Sequence, residues 1–123
     1  MSAKILLVDD ETDIRMLFRL ALQNAGYFVK EAADGLEAIG MVQVEAFDAV
    51  VLDISMPRLD GVSAIDTFRV MRNGESVPII VMTALSDPEI KRRAFEKGAV
   101  DFLVKPISPN ELIETLRRHI VSS

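Results

Sequence analysis

Asp9, Asp10 and Glu11 follow the apolar run Ile5–Val8, Asp53 follows Ala49–Leu52, Thr83 follows Ile79–Met82, and Lys105-Pro106 follows Phe102–Val104. Taken singly, each has an ordinary use: Asp9 or Asp10 as a helix cap, Asp53 as a turn acid, Thr83 as a loop hydroxyl, Lys105 as a solvated amine. Brought to one rim, Asp9, Asp10 and Asp53 would repel one another, and ionised carboxylates stay together at neutral pH only where a cation or protons offset them. An oxygen-only ligand set on short loops suits Mg²⁺, which keeps several waters, better than Ca²⁺, which takes about six to eight ligands. The chain has no Cys and a single His, so a thiolate zinc site, a disulfide framework and a thiol nucleophile are excluded. Beside a hard divalent ion a carboxylate can attack phosphorus, while the metal and an ammonium neutralise the phosphoryl oxygens during in-line transfer. Asp53 as nucleophile, Thr83 as hydroxyl donor and Lys105 as counter-charge complete such a set.

The elements that would carry these residues alternate along the chain. The apolar runs, with Tyr27–Val29 as the second of five, have the consecutive Val/Ile-rich character of strands buried on both faces. Between them the apolar spacing is helical: Ile14, Leu17, Phe18, Ala21 and Ala25 before Gly26; Leu36, Ile39 and Val42; Val62, Ile65 and Phe68 after Gly61; and Ile90 and Ala94, with Asp87 as cap, Pro88 at the first position and Gly98 as stop. The fifth helix opens on the capping box Ser108-Pro109-Asn110-Glu111 and continues through Leu112, Leu116 and Ile120. Strand and helix repeated five times predict an α/β fold, a doubly wound five-stranded parallel sheet with helices on both faces. In such sheets ligands bind outside the carboxyl ends of the strands, where the polar residues above are expected.

The whole chain of 123 residues reads as one domain with a core from about 4 to 120. Fourteen Lys+Arg against nineteen Asp+Glu leave a net charge of −5, which speaks against direct nucleic-acid binding. No apolar run approaches the roughly 20 residues of a membrane span, and the start lacks a signal-peptide layout, so a cytoplasmic location is expected. His119, beside Arg117 and Arg118, reads as a cation against the dipole at the end of the last helix.

Val8-Asp9-Asp10-Glu11, Leu52-Asp53-Ile54-Ser55-Met56-Pro57-Arg58-Leu59-Asp60-Gly61, Met82-Thr83-Ala84 and Gly98 through Pro106 stand in an order and spacing that resembles the receiver domains of two-component response regulators, the CheY-like family, from about Lys4 to Ile120. The resemblance implies a flavodoxin-like fold and a phosphoprotein of signal transduction rather than an enzyme. Asp53 would take a phosphoryl group from a sensor histidine kinase or a histidine phosphotransfer protein, as in a phosphorelay, and the domain would promote its own phosphorylation and autodephosphorylation. It further implies that Asp10, Asp53 and the Ser55 carbonyl ligate Mg²⁺, with Asp9 acting through a water. Thr83, the Ala84 amide and Lys105 would hold the phosphoryl oxygens, with Lys105-Pro106 cis and Gly61 allowing a close backbone approach. Thr83 and Phe102 would be the switch pair, and Leu85 beside Ser55 would shield the acyl phosphate from water. The reading face would be the fourth helix, fifth strand and fifth helix, and the first helix, with Arg15 and Arg19, would choose the kinase.

A flavin carrier would need a hydroxyl- and Gly-rich phosphate loop where Asp9-Asp10-Glu11 stands. An Asp-nucleophile phosphatase would need Asp-x-Asp and a covering insertion, and no Walker motif occurs. A phosphorylation-independent protein-interaction module is the alternative. The acid–base pairs of the winged-helix branch are interrupted by Val100 and Thr115, and the expected state is a monomer or a phosphorylation-dependent dimer. With the chain ending at Ser122-Ser123, both a free-standing receiver and the receiver of a longer regulator or hybrid kinase, with its own output domain, fit the sequence.

Overall fold

A computed structural model describes residues 2–55, 61–84 and 87–120. Five parallel strands, β1 (Lys4–Val8), β2 (Phe28–Ala32), β3 (Ala49–Asp53), β4 (Ile79–Thr83) and β5 (Asp101–Val104), form one sheet in the order β2-β1-β3-β4-β5. They alternate with α1 (Thr12–Asn24), α2 (Gly35–Val44), α3 (Gly61–Arg69), α4 (Pro88–Glu96) and α5 (Pro109–His119). This is the predicted (βα)5 architecture.

Alternation along each strand divides the core in two. Leu6, Val8, Val50, Leu52, Ile79 and Val81 face Ala38, Val42, Ile65, Phe68 and Ala94 of α2, α3 and α4. Ile5, Leu7, Val51, Ile80 and Met82 face Phe18, Leu22, Leu112 and Leu116 of α1 and α5. With a helix layer over each face, β1, β3 and β4 bury nearly every side chain, and their sequences are correspondingly apolar apart from Lys4, Asp53 and Thr83 at their ends.

Helix boundaries follow local chemistry. Ser108 Oγ accepts from the Glu111 amide and Asp87 from the Glu89 amide, each cap with Pro in the first turn. Gly26 and Gly98 leave helices at φ +101° and +109°, a region open to glycine.

Three expectations are corrected. The second strand is Phe28–Ala32, not Tyr27–Val29: as an edge strand it exposes Phe28 and leaves Lys30 and Glu31 half in solvent, so it lacks the all-apolar signature. In α1, Leu17 points to solvent, as does Ala25 just past its end, and Leu22 is buried with Phe18. In α2, Leu36 is exposed while Ala38 and Val42 fill the core.

Arg69, at the end of α3, carries a structural role that the sequence did not single out. Its guanidinium donates to the carbonyls of Gly74 (2.9 Å), Val77 (2.8 Å) and Gly98 (2.7 Å), tying the α3–β4 connection to the end of α4. A Cβ at Gly98 would sit 3.0 Å from Arg69 Nε. Replacement by Met keeps the apolar stem but leaves the three carbonyls without their donor, and Arg69→Met is expected to lower stability by about 2 kcal/mol, read as an earlier urea midpoint.

Candidate functional site

The carboxyl ends of the strands bring the expected residues together. The Asp9 amide donates to the Ala32 carbonyl (3.1 Å), so the ladder carries Asp9 one residue past β1. Asp53 and Thr83 are the last residues of β3 and β4, and the Lys105 amide donates to the Thr83 carbonyl (2.7 Å), fixing Lys105 just past β5. Backbone pairing, rather than loop packing, sets these positions.

Asp9, Asp53 and Thr83 are buried, and Lys105 brings a half-buried ammonium to them. Its Nζ lies 2.7 Å from Asp53 Oδ2, 3.3 Å from Asp9 Oδ2 and 3.6 Å from Glu11 Oε1. The other Asp53 oxygen, Oδ1, accepts from the amide (2.9 Å) and hydroxyl (2.6 Å) of Ser55. Asp9 Oδ1 accepts from the Glu11 amide at 2.9 Å. This bond closes the turn into α1, whose N-cap is Glu11 with no side-chain cap bond, so neither Asp9 nor Asp10 is the N-cap residue. One carboxylate oxygen from each of Asp9, Asp10, Glu11 and Asp53 lies within 4.8 Å of the others. Four clustered acidic groups, three of them sharing one ammonium, all ligands oxygen and two of them exposed, form a donor set that suits a hard divalent cation retaining water.

Electrostatics reflect this crowding. Burial pushes the Asp9 carboxyl up, the Asp53 charge adds to it, and the Glu11 amide and Lys105 offset only part. Burial alone would lower Lys105, yet its hydrogen bond to Asp53 and the charges of Asp53 and Asp9 outweigh this and hold it above its ordinary value. The stabilisation from Lys105 is therefore present below 10.5 and is lost as pH rises through the higher folded-state value. Asp9 has the same sign: its contribution is present below 3.8 and turns unfavourable as pH climbs through its raised folded-state value.

Ala84 follows Thr83 on the exposed rim, and the Lys105–Pro106 peptide is cis. Phe102 packs into the core with Ala94 and Ala99, partly buried Ile90 lying against the same cluster. Gly61 opens α3. Leu85 and Met56 through Asp60 lie outside the described residues.

Two residues needed tertiary information. Glu11 joins the site through Lys105, its only sequence signal being a third consecutive acid. His119 does end α5 as expected, but its Nε2 is also 3.0 Å from Asp101 Oδ2. Burial pushes Asp101 up, but bonds from His119, the Phe102 amide and Arg118 hold it below the usual carboxylate value.

The family model of the response regulator receiver domain matches residues 5–117, and the chain belongs to that family, the receiver domains of two-component signal transduction. It is 44% identical over 114 residues to the probable transcriptional regulator ycf27 of Guillardia theta, covering 93% of this chain and 44% of that protein. It is 39% identical over 117 residues to the response regulator MprA of Mycobacterium tuberculosis, covering 95% and 50%. The chain thus spans about half the length of these curated relatives. Among solved structures, chemotaxis protein CheY4 of Vibrio cholerae superposes with a TM-score of 0.92 at 38% identity, covering 98% of this chain and 100% of that one. The receiver domain of sensor histidine kinase PA1611 of Pseudomonas aeruginosa, with a magnesium ion coordinated in its active-site cleft, has a TM-score of 0.89 at 34% identity, covering 99% and 100%.

Asp9→Asn removes a buried charge that is costly without a cation. In metal-free buffer the variant's melting temperature should gain on the wild type as pH rises from about 4 to about 7, while the rise that Mg²⁺ gives the wild type should shrink in the variant. Thermal melts across pH with and without Mg²⁺ check both.

Proposed function

We propose that Asp53 is the phosphoacceptor of a Mg²⁺-dependent switch, taking its phosphoryl group from a histidine kinase or phosphotransfer protein. The observation that carries this reading is the Asp53 carboxylate, buried at the end of β3, with the Lys105 ammonium 2.7 Å from one oxygen and Asp9 beside it. An Asp53 oxygen forms its bond to phosphorus as the bond to the donor imidazole nitrogen breaks, the electron pair leaving with the imidazole. Lys105 would pair with the charge on the phosphoryl oxygens, and the Thr83 hydroxyl and Ala84 amide, at the end of the neighbouring strand, would donate to them. Asp10, Asp53 and the Ser55 carbonyl would hold Mg²⁺, with Asp9 through a water, and the ion when bound would neutralise phosphoryl charge that the carboxylates otherwise repel. The same groups would serve attack by water in autodephosphorylation.

Phosphorylation gives Asp53 close to two negative charges and three acceptor oxygens, which compete for Lys105 and attract the Thr83 hydroxyl. Movement of Thr83 alters the space in front of Phe102 on the adjoining strand, and the signal passes to α4, β5 and α5, a face where Phe95, Val100 and Val104 are exposed. Phe102→Ala is expected to reduce the difference in partner affinity between the phosphorylated and unphosphorylated states, measured by titration of the output partner. On α1, Arg15 and Arg19 both bond Glu31 of β2, so a kinase reading that helix would meet Met16, Leu17 and Leu20 as its exposed apolar surface. The domain would work in the cytoplasm as a free unit or joined to an output domain; among the described residues no helix is long and apolar enough to cross a membrane.

Intact-mass analysis after incubation with acetyl phosphate tests the reading. One phosphoryl adduct that requires Mg²⁺ and is absent from Asp53→Asn is expected. A folded, Mg²⁺-binding wild type that takes no adduct would overturn it in favour of a phosphorylation-independent interaction module.

A further inference from the structure

Glu11 is the N-cap residue of α1, yet its side chain makes no cap bond; it leans over the rim to Lys105, 3.6 Å away. Of the three carboxylates that share this ammonium it alone is exposed, with 61% of its side chain accessible against 0% for Asp9 and 1% for Asp53. It therefore bonds neither the helix nor the core, and its charge stands on the exposed rim beside the ammonium that pairs with Asp53. Its carboxylate is also within the 4.8 Å cluster formed with Asp9, Asp10 and Asp53.

We propose that Glu11 tunes the phosphotransfer reaction through its charge: the carboxylate draws a divalent cation toward the rim and slows the approach of the anionic phosphoryl group that Asp53 receives. This rests on Asp53 being the phosphoacceptor. Two effects of opposite sign follow from one charge. Negative charge at the rim attracts the cation and repels a dianion, and both effects decay over a screening length of about 10 Å at 0.1 M salt and about 3 Å at 1 M. A residue that merely shaped the loop would weaken both functions together.

The test is a charge series at one position, Glu11→Asp, Glu11→Gln and Glu11→Lys, in the full chain. Phosphorylation by acetyl phosphate at saturating Mg²⁺ is followed by intact mass, and Mg²⁺ affinity is measured separately by calorimetry. At low salt Glu11→Gln is expected to speed labelling about two- to fivefold and to weaken Mg²⁺ binding by a similar factor, with Glu11→Lys going further in both. Glu11→Asp, which keeps the charge, should stay near wild type, and the labelling differences should shrink at about 1 M salt. Any other pattern, whether an unchanged labelling rate, an unchanged Mg²⁺ affinity or both falling together, overturns the role of Glu11. Wild-type protein that takes no phosphoryl group would instead overturn the reading of Asp53, so the two failures are distinguishable.

Discussion

Two carboxylates without exposed surface, Asp9 and Asp53, meet at the end of a parallel sheet, and the Lys105 ammonium lies between them. Ionised carboxylates lose most of their hydration on burial, and a shared cation returns only part of it, as the upward displacement of Asp9 records. The arrangement holds because the residues are extensions of the strands: Asp9 and Lys105 donate their amides to Ala32 and Thr83, so repulsion between side chains works against the ladder itself. The sheet in turn is held by a helix layer on each face, which is why the central strands are almost wholly apolar until they reach this rim. A site of this kind is poised to exchange one neutralising partner for another, since its charge exceeds what Lys105 alone can offset.

How far the sequence disclosed this depended on whether burial was one-sided or two-sided. β1, β3 and β4, covered on both faces, announce themselves as apolar runs, and each run leads into a residue whose polarity has no packing reason to be there, Asp9 just past β1, Asp53 at the end of β3 and Thr83 at the end of β4. Asp53 and Thr83 were legible for that reason. β2 was shifted because an edge strand mixes Phe28, Lys30 and Glu31 in one segment, and periodicity carries little weight over so short a stretch. Leu17 and Leu36 have the spacing of core residues but face solvent, while small Ala38 lies under the sheet; side-chain size alone did not reveal which side of the helix was inward.

Contacts that depend on chain ends meeting far apart in sequence were not legible. Arg69 reads as an ordinary helix-terminal base until Gly98, 29 residues on, is brought beside it. His119 reads as a cation at a helix end until Asp101 arrives from the next-to-last element. Glu11 reads as one more acid in a row until Lys105, at the other end of the chain, turns its charge into part of the rim. In each case the residue type is common, and the information lies in the partner.

The Arg69 clamp has a bearing on how such domains can be recombined. Its guanidinium reaches out of α3 to a carbonyl at the end of α4 and occupies the space where Gly98 would carry a side chain. A segment boundary drawn between α3 and α4 therefore cuts through a single interaction whose halves must match. Transplanting the α4-β5-α5 face from a relative onto this frame would bring a foreign residue at position 98 against a native Arg69, and a chimera would be sound only where the donor also leaves that volume empty. The α4-β5-α5 face is thus inherited together with one side chain from the helix before it.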